Sequence, residues 1–567
     1  MRITACQHNT AISTIISTMS MQLQKNNRLT IKKSLAWLIV LSVIAPILTL
    51  LIQALSGDFS HWESLIRYVL PYSLSNTLIL LLGVTCLVGA IGTGAAWLTS
   101  AYQFPSRNIL IWALLLPLAI PTYIMAFAYL DLLHPLGPIQ SFIRELLGYS
   151  SPRQFRLPDL RGMPGAIFVM SMALYPYVYL NVRIMFMSQS ANLVEAARTL
   201  GCTPAQAFRR VIIPMARPAI AVGISLALLE TLNDIGASEF LGIKTLTVSI
   251  YTEWVTRSNL AGAAQIAIFM LFIVSLLMYI ERLSRQRQRY SNTQRLRPIQ
   301  PQPLTGSKAL LAIIVGWLPV VIGFVFPALY LISETIKRLE HVGNVSHELW
   351  SSTLNTLMLA AIATIATVIL GLLIAWIVRQ PRFTYAKIMV RLASLGYAIP
   401  GSVLAIGLIT PFVLLDNGIS YAMQQLFALP PQLYIMGSMA GLVIAYYIRF
   451  LTISIGSTEA GYARIPLSLD QAAQSLGCSE TQVFRRIHWP LLKPALGAAA
   501  LLVFVDAMKE LSATLLLRPL NFETLSTWLY AEAARGTYEE GAIAALLIVL
   551  VGLFPVIFLA RTQFKQN

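Results

Sequence analysis

Apolar residues come in long runs, separated by short polar connections. A helix needs about 20 apolar residues to cross the roughly 30 Å hydrocarbon core of a bilayer. Twelve runs meet that requirement. Six lie near 34–54, 76–99, 109–130, 164–187, 213–233 and 261–281, and six more near 310–333, 355–378, 388–414, 433–455, 494–515 and 540–560. Several contain Pro or Gly, which membrane helices tolerate where neighbours re-satisfy the freed backbone groups. The pattern predicts an all-α polytopic membrane protein of about twelve transmembrane helices. It divides into a tail at 1–33, a first half at 34–282, a linker at 283–308 rich in Arg, Gln, Pro and Ser, a second half at 309–561 and a tail at 562–567.

Composition agrees with the pattern. Only 11% of the 567 residues are charged, against about 25% in soluble domains. The net charge of +17 does not point to nucleic acid, because the cations cluster between apolar runs. Lys25, Arg28, Lys32 and Lys33 precede the first run, and Arg282, Arg285, Arg287, Arg289, Arg295, Arg297 and Lys308 follow the sixth. Arg379, Arg382 and Lys387 follow the eighth, and Arg561 and Lys565 the twelfth. All these segments fall on one side of a twelve-span arrangement, so both termini are expected in the cytoplasm. The 131–163 connection departs from the rule by placing Arg144, Arg153, Arg156 and Arg161 outside, diluted by Asp131, Glu145 and Asp159. Residues 1–30 lack the regions of a signal peptide. Cys6, Cys86, Cys202 and Cys478 make no metal-ligand spacing, which excludes a zinc or disulfide scaffold.

The two halves repeat a segment. Residues 195–214 read Glu-Ala-Ala-Arg-Thr-Leu-Gly-Cys-Thr-Pro-Ala-Gln-Ala-Phe-Arg-Arg-Val-Ile-Ile-Pro, and residues 471–490 read Gln-Ala-Ala-Gln-Ser-Leu-Gly-Cys-Ser-Glu-Thr-Gln-Val-Phe-Arg-Arg-Ile-His-Trp-Pro. The offset of 276 residues, from Gly201 to Gly477, also brings Pro218 onto Pro494. A short helix should end at each Gly, where a positive φ is needed. Thr203 with Gln206, and Ser479 with Gln482, then have the spacing of capping boxes that start a second helix. Each half therefore presents a helix–turn–helix on the cytoplasmic face, between its fourth and fifth spans.

This pattern resembles the EAA loop of ABC-importer permeases. The match is carried by Glu195, Ala196, Ala197, Gly201 and Pro214 in the first copy, and by Ala472, Ala473, Gly477, Ile487 and Pro490 in the second. Gln471 stands where the family has Glu, and Ile213 and Trp489 where it has Leu, so the two loops are not equivalent. The resemblance implies a type I importer permease of the bacterial inner membrane. Its loops at 191–214 and 467–490, with Arg209, Arg210, Arg485 and Arg486 at the base of the fifth helices, would couple to two copies of a separate ATPase. A periplasmic binding protein would deliver the substrate, and the chain itself would hold no cofactor and no stably bound metal. From about residue 72 to 560 the chain looks like the fused Fe(III)-type permeases, best over 230–240 and 508–519. Fused permeases for thiamine, phosphonates and polyamines share that layout and stay open as alternatives.

The chain has no Gly-Lys dipeptide and hence no phosphate-binding Walker loop, and no GxSxG or HExxH motif. No enzyme activity is expected. Charges inside spans mark functional candidates. Glu230 and Asp234 fall four residues apart at the end of the fifth run, and the offset carries them onto Asp506 and Glu510. On continuous helices each pair would share one face, and four carboxylates would line an outer vestibule. Tyr175, Tyr177, Tyr179, Tyr446 and Tyr447 are further oxygen donors, or ordinary packing aromatics. A twelve-span secondary transporter of the major-facilitator type would have a similar span count and basic central loop. It would not have the matched hairpins.

Overall fold

The computed structural model describes residues 33–56, 62–188, 197, 199–286, 301–344, 346–379 and 385–564. Among them, eleven helices are long and apolar enough to cross a membrane, or twelve if a pair bent by 92° counts as one. The protein is all-α apart from a two-residue parallel pairing of Tyr102–Gln103 with Gln302–Pro303.

In the first half, α1 (Lys33–Ser56) and α2 (Trp62–Ala101) lead to the bent pair. That pair comprises α3 (Arg107–Ala113), a 3₁₀ turn, and α4 (Thr122–Leu132). Then come α5 (Pro138–Leu146), α6 (Met163–Ser188), α7 (Phe208–Asn233), α8 (Gly236–Phe240), α9 (Leu246–Tyr251) and α10 (Leu260–Gln286). The second half repeats the order with α11 (Gly306–Val342), α12 (His347–Val378), α13 (Ala386–Ala393), α14 (Gly401–Phe427), α15 (Met439–Tyr462), α16 (Leu467–Ser475), α17 (Glu480–Met508), α18 (Ser512–Leu517), α19 (Leu525–Arg535) and α20 (Tyr538–Phe564).

Two expected spans are broken rather than continuous. The runs at 109–130 and 388–414 are each interrupted by an Ile-Pro pair. Ile120 and Ile399 are extended, as a residue before proline prefers, and Pro121 and Pro400 start new helices with ψ of 147° and 144°. The expected run at 494–515 also breaks. Its helix ends at Met508, and the separate α18 follows.

The halves are interlocked through their first helices. On α1, Thr49 Oγ1 donates to the Gly407 carbonyl of α14 at 2.5 Å, and Gln53 Nε2 donates to Thr410 Oγ1. In return, α11 lies against the first half. Trp317 Nε1 donates to Ser106 Oγ at 3.0 Å, Tyr129 Oη to the Ile322 carbonyl at 2.6 Å, and Tyr330 Oη to Asp131 Oδ2 at 2.6 Å. The outer faces of α1 and α11 expose Leu38, Leu41, Leu310, Leu311 and Ile314. Such faces are stable where hydrocarbon covers them.

Candidate coupling surfaces and substrate pathway

Each half builds the expected hairpin. Gly201 and Gly477 have φ of 86° and 81°. Across the turns, Cys202 N donates to the Ala197 carbonyl and Cys478 N to the Ala473 carbonyl, both at 3.0 Å. Gln206 N donates to Thr203 Oγ1 at 3.3 Å, while Thr203 N donates to Gln206 Oε1 at 3.0 Å. Ser479 and Gln482 exchange the same two bonds at 3.4 and 2.8 Å. Glu195 and Ala196 lie outside the described residues. Ala197 and Ala473 are buried, whereas Gln471 and Ala472 are exposed.

The helix after each turn begins with one α turn, Pro204–Ala207 or Glu480–Val483, and then widens into a π turn, Phe208–Ile212 in one half and Phe484–His488 in the other. These turns leave Arg209, Arg210, Arg485 and Arg486 on the surface. Pro214 and Pro490 sit just beyond them, where a missing N–H costs little. An aromatic pair anchors each hairpin to the second span of its own half. Trp97 and Phe208 have ring centroids 4.9 Å apart, and Trp376 and Phe484 5.4 Å apart. Leu200 and Leu476, one residue before each Gly, are both 85% exposed.

From the hairpins, α7 and α17 run to the level of the Ile-Pro breaks, about midway along α6 and α15. At 1.5 Å per residue the 26 residues of α7 cover about 39 Å. There the halves line a cavity of about 110 Å³. All four sequence-predicted carboxylates line it, but not as helix-face pairs. The α7 helix stops at Asn233, and Asp234 is extended, with φ −83° and ψ 104°. Its Oδ1 accepts from Ala237 N at 2.9 Å and so caps α8. Glu510 likewise lies beyond α17 and accepts from Ala513 N and Thr514 N at the start of α18. A carboxylate satisfies the free amides of a helix start better than it fits a helix interior.

Two cations also line the cavity. Arg449 Nη1 donates to Glu510 Oε1 at 2.7 Å, and Lys509 Nζ lies 2.8 Å from Asp506 Oδ1. The walls join through Asn233, whose Oδ1 accepts from Gly401 N at 2.7 Å and whose carbonyl accepts from Ser512 Oγ at 2.6 Å. Among the described residues, no three His, Cys, Asp or Glu side chains are grouped so as to hold a metal ion.

One family model, described as the binding-protein-dependent transport system inner membrane component, matches residues 90–290 and again residues 367–565. The chain belongs to that family. Each matched segment carries one hairpin and one wall of the cavity, so this permease is two family units in one chain. It is 27% identical over 534 residues to the Fe(3+)-transport system permease protein FbpB 2 of Haemophilus influenzae, covering 93% of this permease and 97% of that one. The ferric transport system permease protein FbpB of Actinobacillus pleuropneumoniae is 25% identical over 494 residues, 83% of this chain and 69% of its own. The molybdenum transport system permease protein ModB of Escherichia coli is 28% identical over 202 residues, 34% of this permease and 85% of its own length.

The permease also has site residues that the sequence reading missed. Arg449 lies in an apolar run, and its charge alone was signal enough to single it out. Tyr123 and Tyr397 line the cavity without any local motif. Of the five tyrosines considered, Tyr177 lines the cavity. Tyr175 is fully buried, and Tyr447 packs against the core. Tyr179 donates to the Ile111 carbonyl at 2.8 Å, and Tyr446 shares a 2.6 Å hydrogen bond with Thr514.

Proposed function

We propose that the chain is the transmembrane subunit of an ATP-driven importer that carries ferric iron handed over by a periplasmic binding protein. The supporting observation is a pair of matched surfaces, each joined by a single helix to one oxygen-rich cavity between the halves. Each exposed leucine and arginine pair would receive one subunit of a separate ATPase. Rotation of a hairpin would travel along α7 or α17 as a rigid lever and reposition the cavity wall. Carboxylate and phenol oxygens suit a hard cation and disfavour an anionic phosphonate. The names of the two ferric relatives favour the same substrate. In this reading the basic loops and both termini face the cytoplasm, the bilayer is bacterial inner membrane, and no cofactor resides in the chain.

Reconstitution tests the reading. Vesicles containing this permease and its ATPase should accumulate radiolabelled ferric iron from the loaded binding protein only when ATP is supplied. An ATPase subunit unable to hydrolyse ATP should abolish uptake. Uptake that persists without ATP would instead favour a secondary transporter, and uptake of another solute alone would overturn the iron assignment.

A further inference from the structure

The two halves contribute unequally to the cavity. The repeat carries Glu230 onto Asp506 and Asp234 onto Glu510, but it carries Ala173 onto Arg449 and Asn233 onto Lys509. Both cations lining the cavity therefore come from the second half, and each is paired with that half's own carboxylate. Glu510 is fully occupied. Besides Arg449, it accepts from Ala513 N at 3.2 and 3.1 Å, from Thr514 N at 3.2 Å and from Thr514 Oγ1 at 3.0 Å. Asp506 is held by Lys509.

The first half has no such compensation. Glu230 makes no ion pair among the described residues, although Lys509, held by Asp506, and Arg449, held by Glu510, stand close enough to act on it electrostatically. Asp234 is only 8% exposed. Thr122 lies beside it, yet no donor completes a hydrogen bond to its Oδ2. A buried carboxylate oxygen without a partner is costly, and intramembrane charges persist where a partner or a pathway supplies compensation. With four carboxylates against two cations, the uncompensated negative charge lies on one wall.

We infer that the substrate cation is received by the first half alone, through Glu230 and the free oxygen of Asp234, with Tyr177 beside them as a neutral oxygen donor. The Asp506–Lys509 and Glu510–Arg449 pairs form the opposite, internally neutral wall. The ligand class is a hard, oxygen-preferring cation. The permease thus presents a matched exposed leucine and arginine pair in each half where it would meet its ATPases, and unequal walls where it meets its cargo. This rests on the importer reading.

The test uses the complete transporter in vesicles, with radiolabelled ferric iron on the binding protein as the probe. Membrane level, ATPase association and ATP hydrolysis are measured on the same preparations. Glu230→Gln and Asp234→Asn should each lower iron uptake at least tenfold, with ATPase association and hydrolysis retained. Glu230→Asp, which keeps the charge, should restore a third or more of the uptake. The double change Asp506→Asn/Lys509→Gln, which removes an ion pair at constant net charge, should cost less than threefold. Equal losses in both halves, full uptake by Glu230→Gln, or failure of Glu230→Gln to reach the membrane would each overturn the asymmetry. Wild-type vesicles that carry another cation with the same mutational pattern would overturn iron and keep the inference. Wild-type vesicles that carry no cation would overturn both.

Discussion

Arg379 donates from Nε to Asp470 Oδ2 at 2.9 Å, and His488 Nε2 lies 2.8 Å from the other oxygen of the same carboxylate. Arg379 also donates to the Tyr462 and Ile465 carbonyls at 3.1 and 3.0 Å. This clamp ties the second hairpin to α12 and to the base of α17. Matching Trp97 to Trp376 puts Ser100 at the place of Arg379, and the 276-residue offset puts Val194 and Ile212 at the places of Asp470 and His488; these residues cannot form it.

Burial pushes the Asp470 carboxyl up, but the hydrogen bonds to Arg379 and His488 outweigh it and hold the group below its ordinary value of 3.8. A carboxyl lowered in the folded state stabilises that state above its unfolded pKa, and the contribution disappears as pH falls through the folded value. The second hairpin should therefore loosen below about pH 4, and the first should not. Spin labels on Cys478 and Cys202, with the other cysteines replaced, would report this as mobility. Asp470→Asn should loosen the second hairpin at every pH.

Gly201 and Gly477 have open space where a Cβ would stand, so a side chain there would be strained only by the positive φ. A β-branched residue resists that conformation by about 1–2 kcal/mol, whereas Asn tolerates it. Gly477→Val should weaken ATPase co-purification by roughly 5- to 30-fold, and Gly477→Asn by much less. Equal effects would mean that the turn geometry is not what matters.

Leu200 and Leu476 should behave as a matched pair. Burying a leucine contributes about 1.5–3 kcal/mol. Leu200→Ser or Leu476→Ser should reduce ATPase association about tenfold or more, without changing membrane level or helix content. The two losses should add, because the sites are far apart.

The helix exchange predicts a difference between two glycines. A Cβ on Gly407 would stand 2.5 Å from the Pro46 carbonyl oxygen, and one on Gly316 would stand 2.5 Å from Leu110 Cδ2. Backbone cannot step aside, but the end of a leucine can. Gly407→Ala should lower thermal stability by about 1–3 kcal/mol and Gly316→Ala by clearly less, as read from fluorescence-detected unfolding in detergent.

Topology is open to direct measurement. Reporter domains inserted within 283–308 should register as cytoplasmic, and those within 131–163 as external. The reverse pattern would invert the orientation drawn from the basic loops.

The sequence revealed what depends on local chemistry. Spans follow from apolar length, and the hairpins from a glycine turn and a Thr or Ser cap whose partners lie within five residues along the chain. It misled where one residue serves two local roles. Glu510 read as a helix-interior charge because its apolar run continues to 515, and Asp234 because it stands one turn after Glu230 at the end of its run, yet each caps the next short helix and follows the end of the one before. Tyr123, Tyr397 and the exchange of α1 and α11 had no signature along the chain, because they depend on which elements meet in three dimensions. Arg449 was legible and was overlooked beside the repeated carboxylates, since it has no counterpart in the first half.

The exchange of α1 and α11 has a consequence for biosynthesis. Thr49 meets its partner carbonyl 358 positions further along the chain. At about 5–20 residues per second, translation takes roughly 20–70 seconds to cover that distance. For that interval the newborn first helix sits in the bilayer without its seat, exposed to membrane proteases and to stray pairing. A ribosome that stopped after residue 286 would release a first half permanently in this unfinished condition. Joining both halves in one polypeptide ensures that every first helix made is followed by the segment that shelters it.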